Sequence, residues 1–548
     1  MSGSTFTELV AEVVAERPDD VFLRALDGDE TWTWSRFADD ARRIAAGYRS
    51  LGVDAGDSVG LLMTNRPEFY GADFGAVLLR AVPMSIYATS SPEQIAHVAR
   101  DSRLKVLVCE APFLPAAIAA RDLVDEPFTL VVIGTDPPAG GTTLDALRAH
   151  DPVDLDAAVA AADPEDLLTV IYTSGTTGPS KGVELTHRAL LTAARTIGEV
   201  AQQEPGGRVI CWLPMAHIAE RDVSYYMAVQ FRSQVTTCPD PRRIGEALQQ
   251  VRPTMFFAVP RVWEKLKAGA ERALSALPEA ARKDPKTHAG VRAALGLDQA
   301  RTTNVGAAPC APEVIEFFHG IGIPLAEIWG MSESCAAATL NPTDAVRIGS
   351  TGPALPGIEL RVADDGEILL RGDVLMRGYR NLPEATAEAF TEDGFYRTGD
   401  VGRIDDDGYV WILDRKKELM ISSSGKNMSP ANIEATIKSA SPLIGQIVVV
   451  GDARPYNVAL IVVDPDAAAA LGVEGDAAED DGVRAEIARA IEAGNARLSR
   501  VEQVKQYRIL GDDWVPGGTE LTPTMKLKRK PIEQRYAGEI DALYATSV

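Results

Sequence analysis

The sequence predicts a large α/β protein that carries a second, smaller domain at its C-terminal end. Helical patterns alternate with short β-rich runs over the first 165 residues, which favours parallel sheets with crossover helices. From Gly349 the pattern changes to short strands and Asp-Gly turns, which indicates a small antiparallel β region. Beyond Arg415, strands near Ile447 and Val458 and a long helix from Val483 predict a compact domain of their own.

The α/β part can be followed element by element. Residues 37–51 have a helical pattern, and a turn rich in glycine and aspartate leads from them into a strand at residues 58–62. Apolar runs at residues 106–108 and 130–133 predict two further buried strands, which helical segments separate. Residues 167–172 predict a strand that runs into a loop rich in glycine, serine and threonine.

Three Asp-Gly pairs mark the antiparallel region. Asp365-Gly366, Asp393-Gly394 and Asp407-Gly408 each lie between apolar runs. Because glycine adopts positive φ without strain, Asp-Gly favours the tight turns of hairpins. We therefore expect hairpin-connected strands in this part of the chain.

The composition excludes some classes of function. Hydrophobic residues make up 46% and charged residues 24% of the 548 residues, the balance of a globular protein rather than of a disordered one. The 55 basic and 78 acidic residues give a net charge of −23. A protein that grips a nucleic acid by its phosphates needs a basic face, so we expect no nucleic-acid partner. Local basic groups can still hold a small anionic ligand.

The cysteines and the N-terminal residues both bear on the cellular compartment. Five cysteines lie far apart without a CxxC pair, which fits neither a disulfide framework nor a thiolate metal site: Cys109, Cys211, Cys238, Cys310 and Cys335. The first residues lack the basic and apolar regions of a signal peptide, and no apolar run is long enough for a transmembrane span. We expect a cytoplasmic protein without an integral membrane segment.

The strongest chemical signal is the string that follows the strand at residues 167–172. It combines glycines, hydroxyl side chains and a lysine: Thr173, Ser174, Gly175, Thr176, Thr177, Gly178 and Lys181. Glycines let backbone N–H groups approach phosphate oxygens, hydroxyls add donors and lysine adds positive charge. No Gly-Lys-Ser/Thr closes the string, so it is not a Walker A loop. An ordinary surface turn is the alternative interpretation.

This string resembles the phosphate loop of the adenylate-forming superfamily, which includes acyl-CoA synthetases, luciferases and peptide-synthetase adenylation domains. Other family motifs have counterparts in the same order along the chain: an acyl-site segment at residues 213–221, a segment typical of long-chain acyl-CoA synthetases at 259–265, an adenine-side loop at 306–309, an adenine and magnesium motif at 329–333, a ribose motif at 396–400, a hinge at 414–417 and a C-terminal lysine motif at 522–529. Such ordered matches identify the chain as a member of the superfamily.

The resemblance implies an adenylate-forming enzyme fold. A large N-terminal, AMP-binding domain of two α/β subdomains and a β-barrel-like subdomain would span residues 1–416. A small, mobile α+β domain with the catalytic lysine would span residues 417–548. Lys417 occupies the position of the hinge, about which the family rotates its small domain.

The resemblance also implies which residues bind the nucleotide. The string that begins at Thr173 would surround the phosphates, and Asp400 with Arg415 would bind the ribose, since a carboxylate accepts two hydrogen bonds. The implied nucleotide-binding residues outside that string are Gly306, Ala307, Ala308, Pro309, Trp329, Gly330, Met331, Ser332, Asp400, Arg415 and Lys526.

Four residues carry implied catalytic roles. Lys526 would bridge the substrate carboxylate and the α-phosphate, two anions that repel each other. Glu333 and Thr173 would hold Mg²⁺, and Lys181 would act at the phosphates. Without the resemblance, a solvated basic run would be the simpler interpretation of Lys526. Many relatives also have glycine where this chain has Met525.

The acyl and CoA sites rest on weaker signals. The implied residues are His217, Ile218, Ser424 and Gly425. His217 would position the substrate carboxylate or its channel, and a purely structural histidine is the alternative. Ser424 and Gly425 would line a tunnel for the pantetheine of CoA, unless they belong to an ordinary surface loop. Glu220 and Arg221 match the long-chain branch, or they form a structural ion pair.

The resemblance implies an ATP-dependent fatty acid–CoA ligase for a medium- or long-chain acid, with Mg²⁺ as cofactor. The carboxylate and MgATP would give acyl-AMP and pyrophosphate, and CoA would then give acyl-CoA and AMP. A fatty acyl-AMP ligase that serves a carrier protein is one alternative, although residues 415–421 lack the insertion of that branch. A nucleotide-binding protein without activity is the other.

Overall fold

The computed structural model of the protein describes residues 3–173, 179–421, 427–473, 475–522 and 525–545. Within these ranges the strands form seven sheets. Ser174 to Gly178 of the phosphate string, and Ser424 and Gly425 of the implied CoA site, lie outside the described residues. None of the helices in the described ranges is long and apolar enough to cross a membrane.

The first sheet is five-stranded and entirely parallel. Its strands, in spatial order, are Val82–Ser85, Ser58–Leu62, Leu104–Glu110, Thr129–Ile133 and Thr142–Thr143. The helices of the same part of the chain are Trp34–Ser50, Pro67–Val77, Pro92–Ser102, Leu114–Asp122 and Leu144–Arg148. The predicted helix at 37–51 and the predicted strands at 58–62, 106–108 and 130–133 are confirmed.

Two four-stranded sheets complete the α/β part. One has the order Arg208–Cys211, Gln234–Thr237, Val21–Ala25, Thr31–Thr33, and the other Met255–Ala258, Thr302–Val305, Leu325–Trp329, Thr339–Leu340. In each sheet the last strand is antiparallel and the others are parallel. The longer helices around them are Phe6–Glu16, Leu155–Ala161, His187–Val200, Ile244–Val251, Pro260–Ser275, Pro285–Ala294 and Pro312–Gly320. Short helical turns are Ile218–Arg221, Asp222–Tyr226, Met227–Gln230 and Glu279–Arg282.

The two strands that precede and follow the phosphate string in sequence belong to a three-stranded antiparallel sheet. Its order is Gly378–Tyr379, Lys181–Thr186, Leu167–Thr173, so the string joins two neighbouring strands. The strand predicted at 167–172 is confirmed. Thr169 Oγ1 donates to the carbonyl of Pro83 at 2.8 Å, which ties this sheet to the first one.

The region rich in Asp-Gly turns is a five-stranded antiparallel sheet. Its order is Gly352–Pro353, Tyr409–Arg415, Tyr396–Ile404, Glu367–Arg371, Glu359–Val362. Helix Pro383–Ala389 precedes strand Tyr396–Ile404 along the chain. Asp365-Gly366 and Asp407-Gly408 each connect two paired strands, with φ of +83° and +84° at the glycines. The predicted hairpins are therefore confirmed at these two turns.

The C-terminal part has its own sheet and its own core. Strands Ile444–Val450, Asn457–Val463 and Val504–Leu510 form the sheet, and Met420–Ile421 pairs with Asn427–Met428. The helices are Pro430–Lys438, Pro465–Ala470, Asp481–Asn495, Arg529–Arg535 and Ala537–Ala545. Apolar side chains such as Ile433, Ile447 and Ile487 pack into one buried cluster. The predicted strands and long helix of this part are confirmed.

An ion pair lies inside the α/β core. The side chains of Arg221 and Asp73 are both completely buried and form the pair, and Arg221 also donates to Ser85 Oγ at 2.7 Å. In the described part of the chain no ion pair joins Glu220 to Arg221, and Glu220 Oε2 accepts a hydrogen bond from the Leu213 N–H at 2.8 Å. The expected alternative of a Glu220–Arg221 pair is therefore wrong, and Arg221 pairs with a residue 148 positions away.

We expect Arg221→Met to lower the free energy of unfolding by about 3–5 kcal/mol, because Asp73 would be left buried without its partner. Arg489→Met is the matched control, since Arg489 pairs with Glu486 on the surface, and it should change stability by less than about 0.5 kcal/mol. Urea unfolding followed by circular dichroism measures both. An equal effect of the two substitutions would contradict the structural role of the buried pair.

Candidate active site

Asp400 is the centre of a fixed cluster of side chains. It is buried in the strand Tyr396–Ile404, directly opposite Arg415 of the neighbouring strand. Asp400 Oδ2 accepts a hydrogen bond from Trp329 Nε1 at 2.7 Å, and Oδ1 lies 2.8 Å from Arg415 Nε. Burial raises the pKa of Asp400, while Arg415 and Trp329 counteract this effect. The structure thus brings together the two implied ribose residues and the implied adenine residue.

Lys526 belongs to the C-terminal domain and lies within reach of this cluster. The charges of Asp400 and Glu333 favour its protonated form. Its pKa is nevertheless lowered, first because protein atoms displace water around the ammonium group and second because Arg415 repels it. The residue as a whole is nevertheless exposed to solvent.

Hydrogen bonds to Thr522 hold the backbone of Lys526. The N–H of Lys526 donates to Thr522 Oγ1 at 3.0 Å, and its carbonyl accepts from the Thr522 N–H at 2.8 Å. Met525, the residue before Lys526, has φ of +65°, in the left-handed region that glycine adopts without strain. This conformation gives a physical reason for the glycine that many relatives have at this position.

Glu333 has the chemistry of a magnesium ligand. It is half-buried in the short helix Ser332–Ser334, and its Oε1 accepts a hydrogen bond from the Tyr379 hydroxyl at 2.8 Å. In the described ranges no group of three or more histidine, cysteine, aspartate or glutamate side chains could hold a metal alone. A single carboxylate suits Mg²⁺, which proteins usually bind through one or two carboxylates together with substrate phosphates. The residues therefore fit Mg²⁺ that arrives with a nucleotide.

Thr173 and Lys181 lie on either side of the phosphate string. They are paired directly across the antiparallel strands Leu167–Thr173 and Lys181–Thr186. Thr173 is half-buried and Lys181 is exposed, and the ammonium nitrogen of Lys181 lies 4.8 Å from the ring centroid of Tyr379. Because Tyr379 also contacts Glu333, the two ends of the string lie on the same side of the molecule as that carboxylate.

Two glycines of the implied adenine site allow close backbone approach. A Cβ atom on Gly330 would lie 2.1 Å from the carbonyl oxygen of Ala336, so only glycine fits there. On Gly306 it would lie 2.8 Å from Ile328 Cγ2. The remaining implied residues of this site are exposed or half-buried: Ala307, Ala308, Pro309, Met331 and Ser332.

His217 is a neutral hydrogen-bonding group. It precedes the short helix Ile218–Arg221, and its Nδ1 accepts a hydrogen bond from the Ala219 N–H at 3.2 Å. Burial, together with the charge of Lys526, lowers the pKa of His217 to about 3, so the ring is uncharged at neutral pH. Since Nδ1 acts as an acceptor, we assign the proton to Nε2, which becomes a donor. Ile218 beside it is buried.

Lys417 follows Arg415 of this cluster by two positions. It is exposed in the turn after Arg415, where the Lys416 N–H donates to the Gly399 carbonyl at 2.8 Å.

Sequence reasoning missed Tyr379, whose position in a two-residue strand gives no chemical signal. Tyr396 could have been found, since it is the first residue of the ribose motif.

Ion pairs also connect the C-terminal domain to the rest of the chain. They involve the helix Pro260–Ser275, which we call the docking helix and which contains most of the segment typical of long-chain acyl-CoA synthetases. Arg261 pairs with Asp464, Lys265 Nζ lies 2.8 Å from Asp466 Oδ2, and Glu264 Oε2 lies 3.6 Å from Lys438 Nζ. These contacts hold the C-terminal domain in the position in which Lys526 lies near Asp400.

Comparison with known proteins gives the same family over most of the chain. The AMP-binding enzyme family matches residues 10–380, and the AMP-binding enzyme C-terminal domain matches residues 417–548. The long-chain-fatty-acid–CoA ligase FadD15 of Mycobacterium bovis is 36% identical over 586 residues, which cover 98% of this chain and 96% of the relative. The long-chain-fatty-acid–CoA ligase ACSBG1 of Rattus norvegicus is 30% identical over 580 residues, 92% of this chain and 80% of the relative.

Solved structures share the fold. The A domain of carboxylic acid reductase from Segniliparus rugosus, in complex with AMP and a co-purified carboxylic acid, has a TM-score of 0.82 at 20% identity and covers 100% of this chain and 95% of that chain. The Mycobacterium tuberculosis fatty acyl CoA synthetase has a TM-score of 0.65 at 25% identity, over 98% of this chain and 99% of that chain. The chain therefore belongs to the AMP-binding enzyme family, in the long-chain acyl-CoA synthetase branch of the adenylate-forming superfamily.

Proposed function

We propose that the protein is a fatty acid–CoA ligase that forms acyl-AMP from a medium- or long-chain acid and MgATP, then acyl-CoA from CoA. The names of its relatives, long-chain-fatty-acid–CoA ligases, support the reaction class. The observation that carries the proposal is the cluster of Trp329, Asp400 and Arg415, held by direct contacts to the buried carboxylate, on which the charge of Lys526 from the C-terminal domain also acts. A cation beside a nucleotide site suits a reaction that joins two anions.

In the first step, Lys526 would neutralise the repulsion between the substrate carboxylate and the α-phosphate. Asp400 and Arg415 would orient the ribose, and Trp329, fixed through its bond to Asp400, would flank the adenine. Glu333 and Thr173 would hold Mg²⁺, which when bound neutralises phosphate charge and favours release of pyrophosphate. Lys181 would add a cation at the phosphates.

His217 would position the acid. Its Nε2–H is a donor in a neutral ring, whose pKa is lowered by burial and by the charge of Lys526. A neutral donor can hydrogen-bond to a carboxylate oxygen and leave the carboxylate negatively charged, so that Lys526 can still neutralise it. We assign Ile218 to the adjoining apolar wall.

For the second step, we propose that the domain of residues 417–548 rotates about Lys417 relative to residues 1–416. Lys417 is exposed in a turn, where a change of backbone angles meets little resistance. The rotation would withdraw Lys526 and bring the loop with Ser424 and Gly425 to the pantetheine of CoA. The reactants, ATP and CoA, and the five buried, free cysteines support a cytoplasmic location.

We expect Lys526→Ala to slow acyl-AMP formation at least about 100-fold, the effect typical of removing a group that stabilises transition-state charge. Conversion of added acyl-AMP and CoA to acyl-CoA should change less than about threefold, because Lys526 would act only in the first step. Mass spectrometry with acids of graded chain length, with and without CoA, measures both steps.

The control for that experiment is Lys530→Ala, which removes an exposed lysine of the same basic run and should leave both rates unchanged. If wild-type enzyme accumulates acyl-AMP in the presence of CoA, the acceptor is a carrier-protein thiol instead. If no acid yields an adenylate while ATP still binds, the protein is a nucleotide-binding protein without this activity.

We expect Asp400→Asn to weaken AMP binding about tenfold or more, because a charge-assisted hydrogen bond contributes about 1.5–3 kcal/mol. Asp393→Asn is the control, since Asp393 is an exposed carboxylate that pairs with Arg361. Isothermal titration calorimetry with AMP measures both affinities. Wild-type affinity in Asp400→Asn would remove this residue from the ribose site.

We expect Arg261→Gln to slow acyl-AMP formation about three- to tenfold, since a partly buried ion pair of this kind contributes roughly 1 kcal/mol. The second step should be unaffected or faster, because without this ion pair the C-terminal domain would rotate away from its present position more easily. Arg272→Gln, an exposed position on the same docking helix, is the control. An equal loss in both steps would show that the substitution damages the fold rather than the domain balance.

A further inference from the structure

We propose that Tyr379 and Tyr396 are positioning residues that fix the metal-binding carboxylate of Glu333, and that Tyr379 couples this carboxylate to Lys181 at the phosphate string. The inference rests on the proposed function, since it takes Glu333 as the magnesium ligand. It goes further by assigning the residues that orient this ligand.

The first argument is the direction of the hydrogen bonds. The Tyr379 hydroxyl donates to Glu333 Oε1 at 2.8 Å, and the hydroxyls of Tyr379 and Tyr396 are 3.2 Å apart. A phenol has one proton to donate, and that of Tyr379 is used on Glu333. Tyr396 must therefore donate to Tyr379, so a chain of two phenols ends on the carboxylate.

The second argument is that one short segment holds Glu333 at two points. The Met376 N–H donates to the Glu333 carbonyl at 2.8 Å, three residues before Tyr379. Tyr379 itself is paired with Val183 across the antiparallel strands. Backbone and side chain of Glu333 are thus both fixed relative to the strand that begins with Lys181.

The third argument is that Tyr379 contacts two opposite charges by different parts of its side chain. Its ring lies 4.8 Å from the Lys181 ammonium, within the range of cation–π attraction, while its hydroxyl binds Glu333. The ring thereby keeps a cation of the phosphate string at a set distance from the carboxylate. A direct Lys181–Glu333 ion pair would instead consume both groups before a ligand arrives.

These contacts distinguish the two carboxylate oxygens of Glu333. With Oε1 engaged by Tyr379, Oε2 would be the oxygen left to hold Mg²⁺. Partners that orient a metal ligand typically contribute about 10- to 100-fold in metal affinity or activity. Tyr379 is half-buried and Tyr396 is 5% exposed, so neither phenol can exchange its partner freely for water.

The test uses variants that separate the hydroxyl from the ring. Tyr379→Phe removes the bond to Glu333 and keeps the ring beside Lys181, whereas Tyr379→Leu removes both. Tyr396→Phe removes only the hydroxyl of Tyr396, which contacts the hydroxyl of Tyr379. Tyr456→Phe is the control, because the Tyr456 hydroxyl donates to the Leu543 carbonyl at 3.3 Å within the C-terminal domain.

The measurement is Mn²⁺ binding to the full-length enzyme with a non-hydrolysable ATP analogue, by electron paramagnetic resonance, alongside calorimetry with AMP. We expect Tyr379→Phe to weaken Mn²⁺ binding about tenfold while AMP affinity stays unchanged. Tyr396→Phe should act in the same direction more weakly. Tyr379→Leu should also weaken metal-free binding of the analogue, because Lys181 loses its ring.

Wild-type Mn²⁺ affinity in Tyr379→Phe would overturn the proposal, and so would an equal loss of AMP and Mn²⁺ affinity, which indicates a general structural defect. The assay contains neither acid nor CoA, so an error about acyl substrate or acceptor leaves its result intact. If the wild-type enzyme binds the analogue without any dependence on the metal, Glu333 is not a metal ligand and both proposals fail at that shared point.

Discussion

The site depends on one constraint, namely that the buried carboxylate of Asp400 must be compensated. A buried charge is costly unless partners neutralise it and satisfy its hydrogen bonds. Trp329 and Arg415 contact the carboxylate directly, and the charge of Lys526 adds to their effect. Since these residues come from three separate segments, compensating Asp400 draws the strands and the C-terminal domain together around a single point.

The contacts between the domains are largely ionic where they adjoin the docking helix. Arg261 pairs with Asp464, and Lys265 and Lys438 form further pairs across the boundary. Ion pairs at a partly exposed boundary can separate at moderate cost, because water replaces each partner. An apolar interface would instead have to expose its surface to water. The chemistry of this boundary therefore supports a domain that changes position during the reaction.

The negative net charge of the whole protein makes the basic side chains at the candidate site important. A protein with a net charge of −23 repels anions such as ATP, CoA and a carboxylate. In the proposed function, Lys181, Arg415 and Lys526 counteract this repulsion at the site. Each has an electron-rich partner close by: the ring of Tyr379 beside Lys181, Asp400 beside Arg415, and the charges of Asp400 and Glu333 around Lys526. These partners offset part of the charge of each cation before an anionic ligand binds.

The fold class, several elements and most of the candidate site could be predicted from the sequence. Apolar runs and Asp-Gly turns predicted the strands at 58–62 and 167–172 and two hairpins, because the periodicity and turn chemistry of such elements are local. Ordered motifs indicated Asp400, Glu333 and Lys526. Tertiary structure alone decided that Arg221 pairs with Asp73, that Tyr379 binds Glu333 and that Arg261 meets Asp464. These partners are 148, 46 and 203 positions apart, and only the packing of separate elements brings them into contact.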